Sequence, residues 1–184
     1  DELTVVQDTG THVMHCLCCN VKLSSGIARI PEMLARGISV AIGSDGAPSN
    51  NNLDMFIEMR VASLIHKYRL GAEALPAEAV LGMATNGGAA ALGLADQIGS
   101  LEVGKKADII VLDDGGIAAA PIVEFEVDDP VKRIVSSFQS SSVRSSIIDG
   151  RHVMKNRQLL SMNEEEVVAE ARNALANIRE GTDS

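Results

Sequence analysis

Over roughly the first 95 residues, short β-branched runs alternate with stretches whose apolar residues have helical spacing. Residues 11–16 and 38–43 are predicted to be strands, and the second run is apolar enough to be a buried parallel strand. Polar loops are predicted at residues 20–26 and 44–52. Helices are predicted at residues 2–8, 31–36, 53–68, 77–84 and 87–92. Such alternation is typical of a parallel α/β fold.

The pattern changes after about residue 98, where strands and tight turns predominate. Strands are predicted at residues 107–113, 131–138 and 143–148, and Asp149-Gly150 indicates a hairpin turn. The last segment, residues 163–179, begins with acidic and ends with basic residues, which predicts a helix. We therefore expect three parts, at residues 1–95, 96–160 and 161–184.

Composition restricts the class of function. The chain is 46% hydrophobic with a mean hydropathy of +0.12, which favours a folded domain. A net charge of −9 and 2% aromatic residues argue against nucleic-acid binding and against a membrane-surface role. We expect no membrane span and no signal peptide. Because the first residue is Asp rather than Met, we expect a fragment of a longer chain.

Three cysteines, Cys16, Cys18 and Cys19, lie within four residues. An odd and tightly clustered set is not a disulfide framework, and it favours the reducing cytoplasm, so we expect a cytoplasmic protein. A structural zinc site needs four ligands, which are normally two separated pairs, and no second pair is present. Buried small side chains are therefore the favoured interpretation, with a metal site as the weaker alternative.

Asp45 directly follows the predicted strand at residues 38–43 and begins a Gly/Ser/Asn loop. Since catalytic groups in barrels of parallel strands lie at the carboxyl ends of the strands, Asp45 is a candidate metal ligand or catalytic residue, and turn capping is the alternative. His15 ends the other strand and is the second candidate, with a hydrogen-bonded structural histidine as the alternative. Of the other histidines, His12 is expected on the opposite strand face, His66 on a solvated helix surface and His152 in the surface hairpin.

Several segments resemble the amidohydrolase superfamily, in the branch of the S-adenosylhomocysteine/methylthioadenosine and guanine aminohydrolases and the triazine chlorohydrolases. Residues 43–51, with the sequence GSDGAPSNN, resemble the motif of the eighth barrel strand. Residues 15–28 resemble the segment after the sixth strand. The remaining similar segments are residues 53–60, 84–94, 98–108 and 143–160.

This resemblance implies a fold and a site. It implies the C-terminal part of a (β/α)8 barrel of the TIM type at residues 1–95, part of a small β-sandwich at residues 96–160 and a C-terminal helix at residues 161–184. It implies that Asp45 binds one divalent ion, Zn or Fe, and accepts a proton from the attacking water. It also implies that His15, as the sixth-strand histidine, polarises the group under attack.

The same resemblance implies a hydrolase acting on C–N bonds other than peptide bonds. The expected reaction is deamination of a purine, pterin or similar small nitrogen heterocycle. The His-x-His pair of the first strand and the histidine of the fifth strand are absent from these 184 residues. Their absence predicts that an N-terminal half or a companion chain completes the site. A triazine-type chlorohydrolase, or an inactive fragment with a structural or oligomerisation role, is the alternative, and a homodimer is possible.

Overall fold

The computed structural model describes residues 1–113 and 129–182. The strands are β1 Val13–His15, β2 Val40–Ile42, β3 Ile109–Leu112, β4 Val143–Ile148, β5 Arg151–Lys155 and β6 Gln158–Leu159. The helices are α1 Glu2–Asp8, α2 Leu17–Lys22, α3 Ile30–Ala35, α4 Ala47–Asn50, α5 Met55–Leu70, α6 Ala77–Gly82, α7 Gly88–Ala91, α8 Pro130–Ser136 and α9 Glu164–Thr182. A π-helical turn, Met83–Gly87, joins α6 to α7, and a 3-10 turn, Ser140–Ser142, precedes β4.

The described residues form two compact units. The first unit, Asp1–Lys106 with Asp113–Ser142, is mixed α/β and contains the parallel pair β1–β2. All three residues of β2 are buried, as its apolar sequence predicts for a strand covered on both faces. The longest helix of this unit, α5, begins after Asp54, whose carboxylate accepts hydrogen bonds from the amides of Phe56 and Ile57.

The second unit, Ala107–Leu112 with Val143–Ser184, contains an antiparallel sheet in the order β3-β4-β5-β6. The hairpin predicted at Asp149-Gly150 is confirmed between β4 and β5. Both turn residues have positive φ, 49° and 76°, which is the conformation that two-residue hairpin turns require. The terminal helix is also confirmed, and Asn163 caps it by accepting from the amides of Glu165 and Glu166.

The strand predicted at residues 131–138 is wrong, because Pro130–Ser136 is the helix α8. The run is rich in β-branched residues, but Asp129 caps it and accepts from the amide of Val131 at 2.9 Å. Pro130 occupies the first helical turn, where its missing N–H costs nothing. These local signals determine the helix, and Val135 packs its apolar side into the core.

The two predicted loops are partly helical. Residues 20–22 of the first loop belong to α2, and the second loop contains the short helix α4. α2 is the first helix after β1 and α4 is the first after β2, so both helices shape the region where those strands end. No helix among residues 1–113 and 129–182 has both the length and the apolarity that crossing a bilayer requires.

Candidate metal and catalytic site

The two parallel strands end at the same edge of their sheet. His15 lies opposite Ile42, and the amide of Gly43 donates a hydrogen bond to the carbonyl of His15 at 3.1 Å. Asp45 follows two residues later. The predicted placement of Asp45 after the carboxyl end of a parallel strand is therefore confirmed. Such ends are the usual location of active sites in α/β folds.

The two faces of this sheet carry different side chains. A Cβ atom added at Gly43 would lie 2.8 Å from the Met14 side chain and 3.1 Å from the Cys16 sulfur, so those two side chains cover the face on which Gly43 lies. Because side chains alternate along a strand, His15 points to the opposite face. Exposure agrees, since Met14 is 50% exposed and His15 only 2%.

Asp45 carries its carboxylate on the exposed side of the strand end. Its φ of +61° lies in the left-handed region, which Asp tolerates better than most residues. One carboxylate oxygen accepts from the thiol of Cys19 at 2.8 Å, and the other accepts from the amide of Gly46 at 2.6 Å. The Cys19 hydrogen bond, followed by the Gly46 amide, lowers the pKa of Asp45, so this carboxylate is ionised at neutral pH.

The hydrogen bond from the Gly46 amide also agrees in part with the alternative, in which the Asp45 side chain caps the following turn. It does not exclude the metal role, because a carboxylate has about four lone-pair sites and these two hydrogen bonds occupy only some of them. Asp45 is also exposed.

The three cysteines are free thiols, and one of them, Cys19, contacts the Asp45 carboxylate. Burial raises the pKa of Cys16, the Asp45 hydrogen bond raises that of Cys19, and burial together with Glu58 raises the pKa of Cys18 to about 12. At neutral pH the three thiols are therefore protonated in the metal-free chain. Within the described ranges, no group of three or more His, Cys, Asp or Glu side chains is arranged to hold a metal ion.

His15 contacts His66 rather than Asp45. The two rings lie 5.7 Å apart at 45° on the buried face, and His66, which was predicted to be solvated, is only 1% exposed. The expectation for His66 is therefore wrong, because α5 turns that residue towards the sheet. Burial, and then His66, lower the pKa of His15 to about 4, and burial lowers that of His66. The structure thus separates the two predicted site residues onto opposite faces.

The strand number given to His15 also changes. β1 is hydrogen-bonded directly to β2, and residues 16–39 between them contain helices α2 and α3 but no strand. If β2 is an eighth barrel strand, then β1 is the seventh rather than the sixth, because consecutive barrel strands are neighbours.

Glu58 belongs to the site but was missed in the sequence. It is 1% exposed, and its carboxylate accepts from the amide of Cys18 at 3.2 Å and from the side chain of Asn50 at 2.6 Å. Its signal was helical spacing, because Glu58, Ala62 and His66 recur every four residues and all three are buried. A charged residue on the buried stripe of a helix is unusual and marks a polar contact inside the fold.

Known proteins resemble this chain over nearly all of its length. A 5-methylthioadenosine/S-adenosylhomocysteine deaminase from Syntrophobacter fumaroxidans is 45% identical over 172 residues, which are 93% of this chain and 38% of that protein. The zinc-bound crystal structure of an adenosine deaminase from Xanthomonas campestris superimposes with a TM-score of 0.89 at 35% identity, covering 97% of this chain and 40% of the other.

A second solved structure is the zinc complex of atrazine chlorohydrolase from Arthrobacter aurescens. Its TM-score is 0.82 at 29% identity, and the match covers 94% of this chain and 37% of that one. The chain therefore spans about two fifths of the length of these relatives. The model of the amidohydrolase family matches residues 1–153, which is most of the chain. On this match, the chain belongs to the amidohydrolase family.

Proposed function

We propose that this chain is part of a metal-dependent hydrolase that deaminates a purine nucleoside or a related small nitrogen heterocycle. The observation that carries the proposal is the ionised, exposed Asp45 carboxylate at the carboxyl end of a buried parallel strand. Support comes from the relatives, because two of the three described above are named as deaminases of adenine-containing compounds. The free thiols of the site support a cytoplasmic location.

The proposed architecture follows the family. Residues 1–95 would be the C-terminal part of a (β/α)8 barrel, residues 96–160 a small β-sandwich segment and residues 161–184 an appended helix. The adjacent parallel strands β1 and β2, joined through helices, are consistent with this arrangement. The remaining strands and metal ligands would come from an N-terminal portion or a companion chain, and a homodimer is a further possibility.

The described residues fit one position of a metal site. Asp45 offers a hard, ionised oxygen ligand, which suits Zn or Fe, whereas the neighbouring thiols are protonated. A bound divalent ion supplies Lewis acidity and lowers the pKa of water towards neutrality. Asp45 would hold that ion, and the other ligands would lie outside this chain.

In the proposed reaction, Asp45 accepts the proton of the attacking water and returns it towards the leaving amine. The Cys19 thiol keeps the carboxylate ionised and fixes one of its oxygens. Met14 and Cys16 form an apolar surface beside it, on which a flat heterocycle can lie. We assign no catalytic contact to His15, because it lies on the opposite, buried face with His66.

A chimaera tests the proposal. The segment of the Syntrophobacter fumaroxidans deaminase that precedes its matched region is joined to Asp1 of this chain. The chimaera is loaded with zinc and supplied with 5-methylthioadenosine, S-adenosylhomocysteine, adenosine or atrazine. We expect ammonia release from at least one adenine compound. Asp45→Asn is expected to reduce kcat/KM by about a hundredfold or more, because it removes a ligand charge and the proton acceptor.

Asp54→Asn is the matched control, since it makes the same change in a buried carboxylate that caps α5 and does not touch Asp45. A folded, zinc-loaded chimaera that releases no ammonia from any of the compounds would refute the deaminase proposal. Chloride release from atrazine without ammonia release would instead establish the chlorohydrolase alternative.

A further inference from the structure

The segments that follow β1 and β2 meet at one buried carboxylate. Glu58 lies on α5, is 1% exposed, and has no Lys or Arg within ion-pair distance among the residues that the structure describes. Its hydrogen-bond partners come from α2 and α4, the first helices after β1 and β2. Burying a carboxylate without a cation is costly unless hydrogen bonds offset the cost, so Glu58 depends on its hydrogen-bond partners.

One route from Glu58 to Asp45 runs through α2. A Glu58 oxygen accepts from the Cys18 amide at 3.2 Å, and the Cys18 thiol lies close enough to the same carboxylate for Glu58 to raise its pKa. The next residue, Cys19, donates its thiol to Asp45 at 2.8 Å. The peptide unit that joins Cys18 to Cys19 therefore links the Cys19 sulfur to Glu58.

The other route runs through α4. The side-chain amide of Asn50 donates to Glu58 at 2.6 Å and to the carbonyl of Ser44 at 2.6 Å. Ser44 precedes Asp45 directly, and its carbonyl belongs to the peptide unit that carries the Asp45 nitrogen. Both routes therefore start at the Glu58 carboxylate and converge on Asp45, one at its side chain and one at its backbone.

We propose that Glu58 is a positioning residue, which holds the two segments after β1 and β2 in fixed register and so orients the Asp45 carboxylate. The inference rests on the proposed function for its effect on turnover, but the holding of the segments is independent of it. Outer hydrogen-bond partners of this kind commonly change metal affinity or activity by about 10–100-fold when they are removed.

The test compares Glu58→Gln with Asp54→Asn. Glutamine keeps the size of Glu58 but presents an NH₂ group to either the Cys18 amide or the Asn50 amide, so one contact becomes donor against donor. Asp54→Asn is again the control, because its partners are the amides of Phe56, Ile57 and Ser140.

The first measurement is amide hydrogen exchange in the 184-residue chain. Glu58→Gln is expected to speed exchange by about tenfold or more in residues 16–23 and 44–52, and to leave β4 and β5 unchanged. Asp54→Asn should leave both segments as in the wild type. If Glu58→Gln does not fold, Asn50→Ala removes only the second route and should speed exchange in residues 44–52. Wild-type exchange rates in both segments of the folded variant would overturn the inference.

The second measurement is made in the zinc-loaded chimaera. We expect Glu58→Gln to lower kcat/KM and zinc affinity by about 10–100-fold and Asp54→Asn to leave both near wild type. Equal losses in the two variants would overturn the positioning role. A chimaera that is inactive with Glu58 in place would refute the proposed function instead, and hydrogen exchange would still decide whether Glu58 holds the two segments.

Discussion

Gly87 lies where the π-helical turn Met83–Gly87 passes close to the strand β2. A Cβ atom there would lie 2.3 Å from the carbonyl oxygen of Val40 and 3.4 Å from that of Gly82. Val40 belongs to β2, the strand that leads to Asp45. Since the obstacle is backbone in a central strand, it cannot be relieved by turning a side chain, and the π-helical turn would have to move about 1 Å away to restore normal contact.

Gly87→Ala is therefore expected to destabilise the chain. Overpacking of this kind costs up to about 3 kcal/mol, and the better helix propensity of Ala offsets about 1 kcal/mol of it. Gly88→Ala is a matched control, because Gly88 is also helical, with φ of −60°, and nothing lies within 4 Å of its added Cβ. That variant should gain about 1 kcal/mol. The propensity term is common to both, so their difference of about 3 kcal/mol isolates the steric overlap.

Urea denaturation followed by circular dichroism gives the two free energies of unfolding. In a thermal scan the same difference corresponds to about 6–12 °C between the two variants for a chain of this size. A Gly87→Ala protein as stable as Gly88→Ala would refute the reasoning, because it would mean that the turn does not press on the backbone of β2.

Two further predictions concern titration. His15 titrates near 6.5 in the unfolded chain but at about 4 when folded, so the unfolded chain binds more protons in between. The free energy of unfolding should therefore fall by about 2 kcal/mol between pH 7.5 and pH 5, which lowers the urea midpoint. His15→Asn should reduce this dependence on pH. A wild-type midpoint that is the same at both pH values would contradict the burial of a neutral His15. Cys18, with its pKa raised to about 12, should react with iodoacetamide at pH 8 about a thousandfold more slowly than in urea-unfolded chain, as peptide mass spectrometry would measure. Equal rates in folded and unfolded chain would contradict its burial beside Glu58.

Local signals in the sequence determined several features correctly. The Asp149-Gly150 turn, the Asn163 cap and the apolar strand that ends before Asp45 each depend on a few neighbouring residues. The order of the motifs also placed the chain in its family, which the match to residues 1–153 confirms. The wrong prediction at residues 131–138 is likewise local, because the β-branched composition favours a strand while the Asp129-Pro130 start signal favours the helix that forms.

Only the tertiary structure decided which face each side chain occupies. His15 ends β1 and Asp45 follows β2, but pairing of β1 with β2 sends His15 to the buried side, while the left-handed turn at Asp45 leaves its carboxylate exposed. In the sequence, Glu58 and His66 are polar residues of a predicted helix, and only the packing of α5 shows that both are buried. The sequence determines which residues lie at strand ends, because strand ends depend on neighbours along the chain. The partners of Asp45 and His15 lie 26 and 51 residues away along the chain, and only folding brings them together.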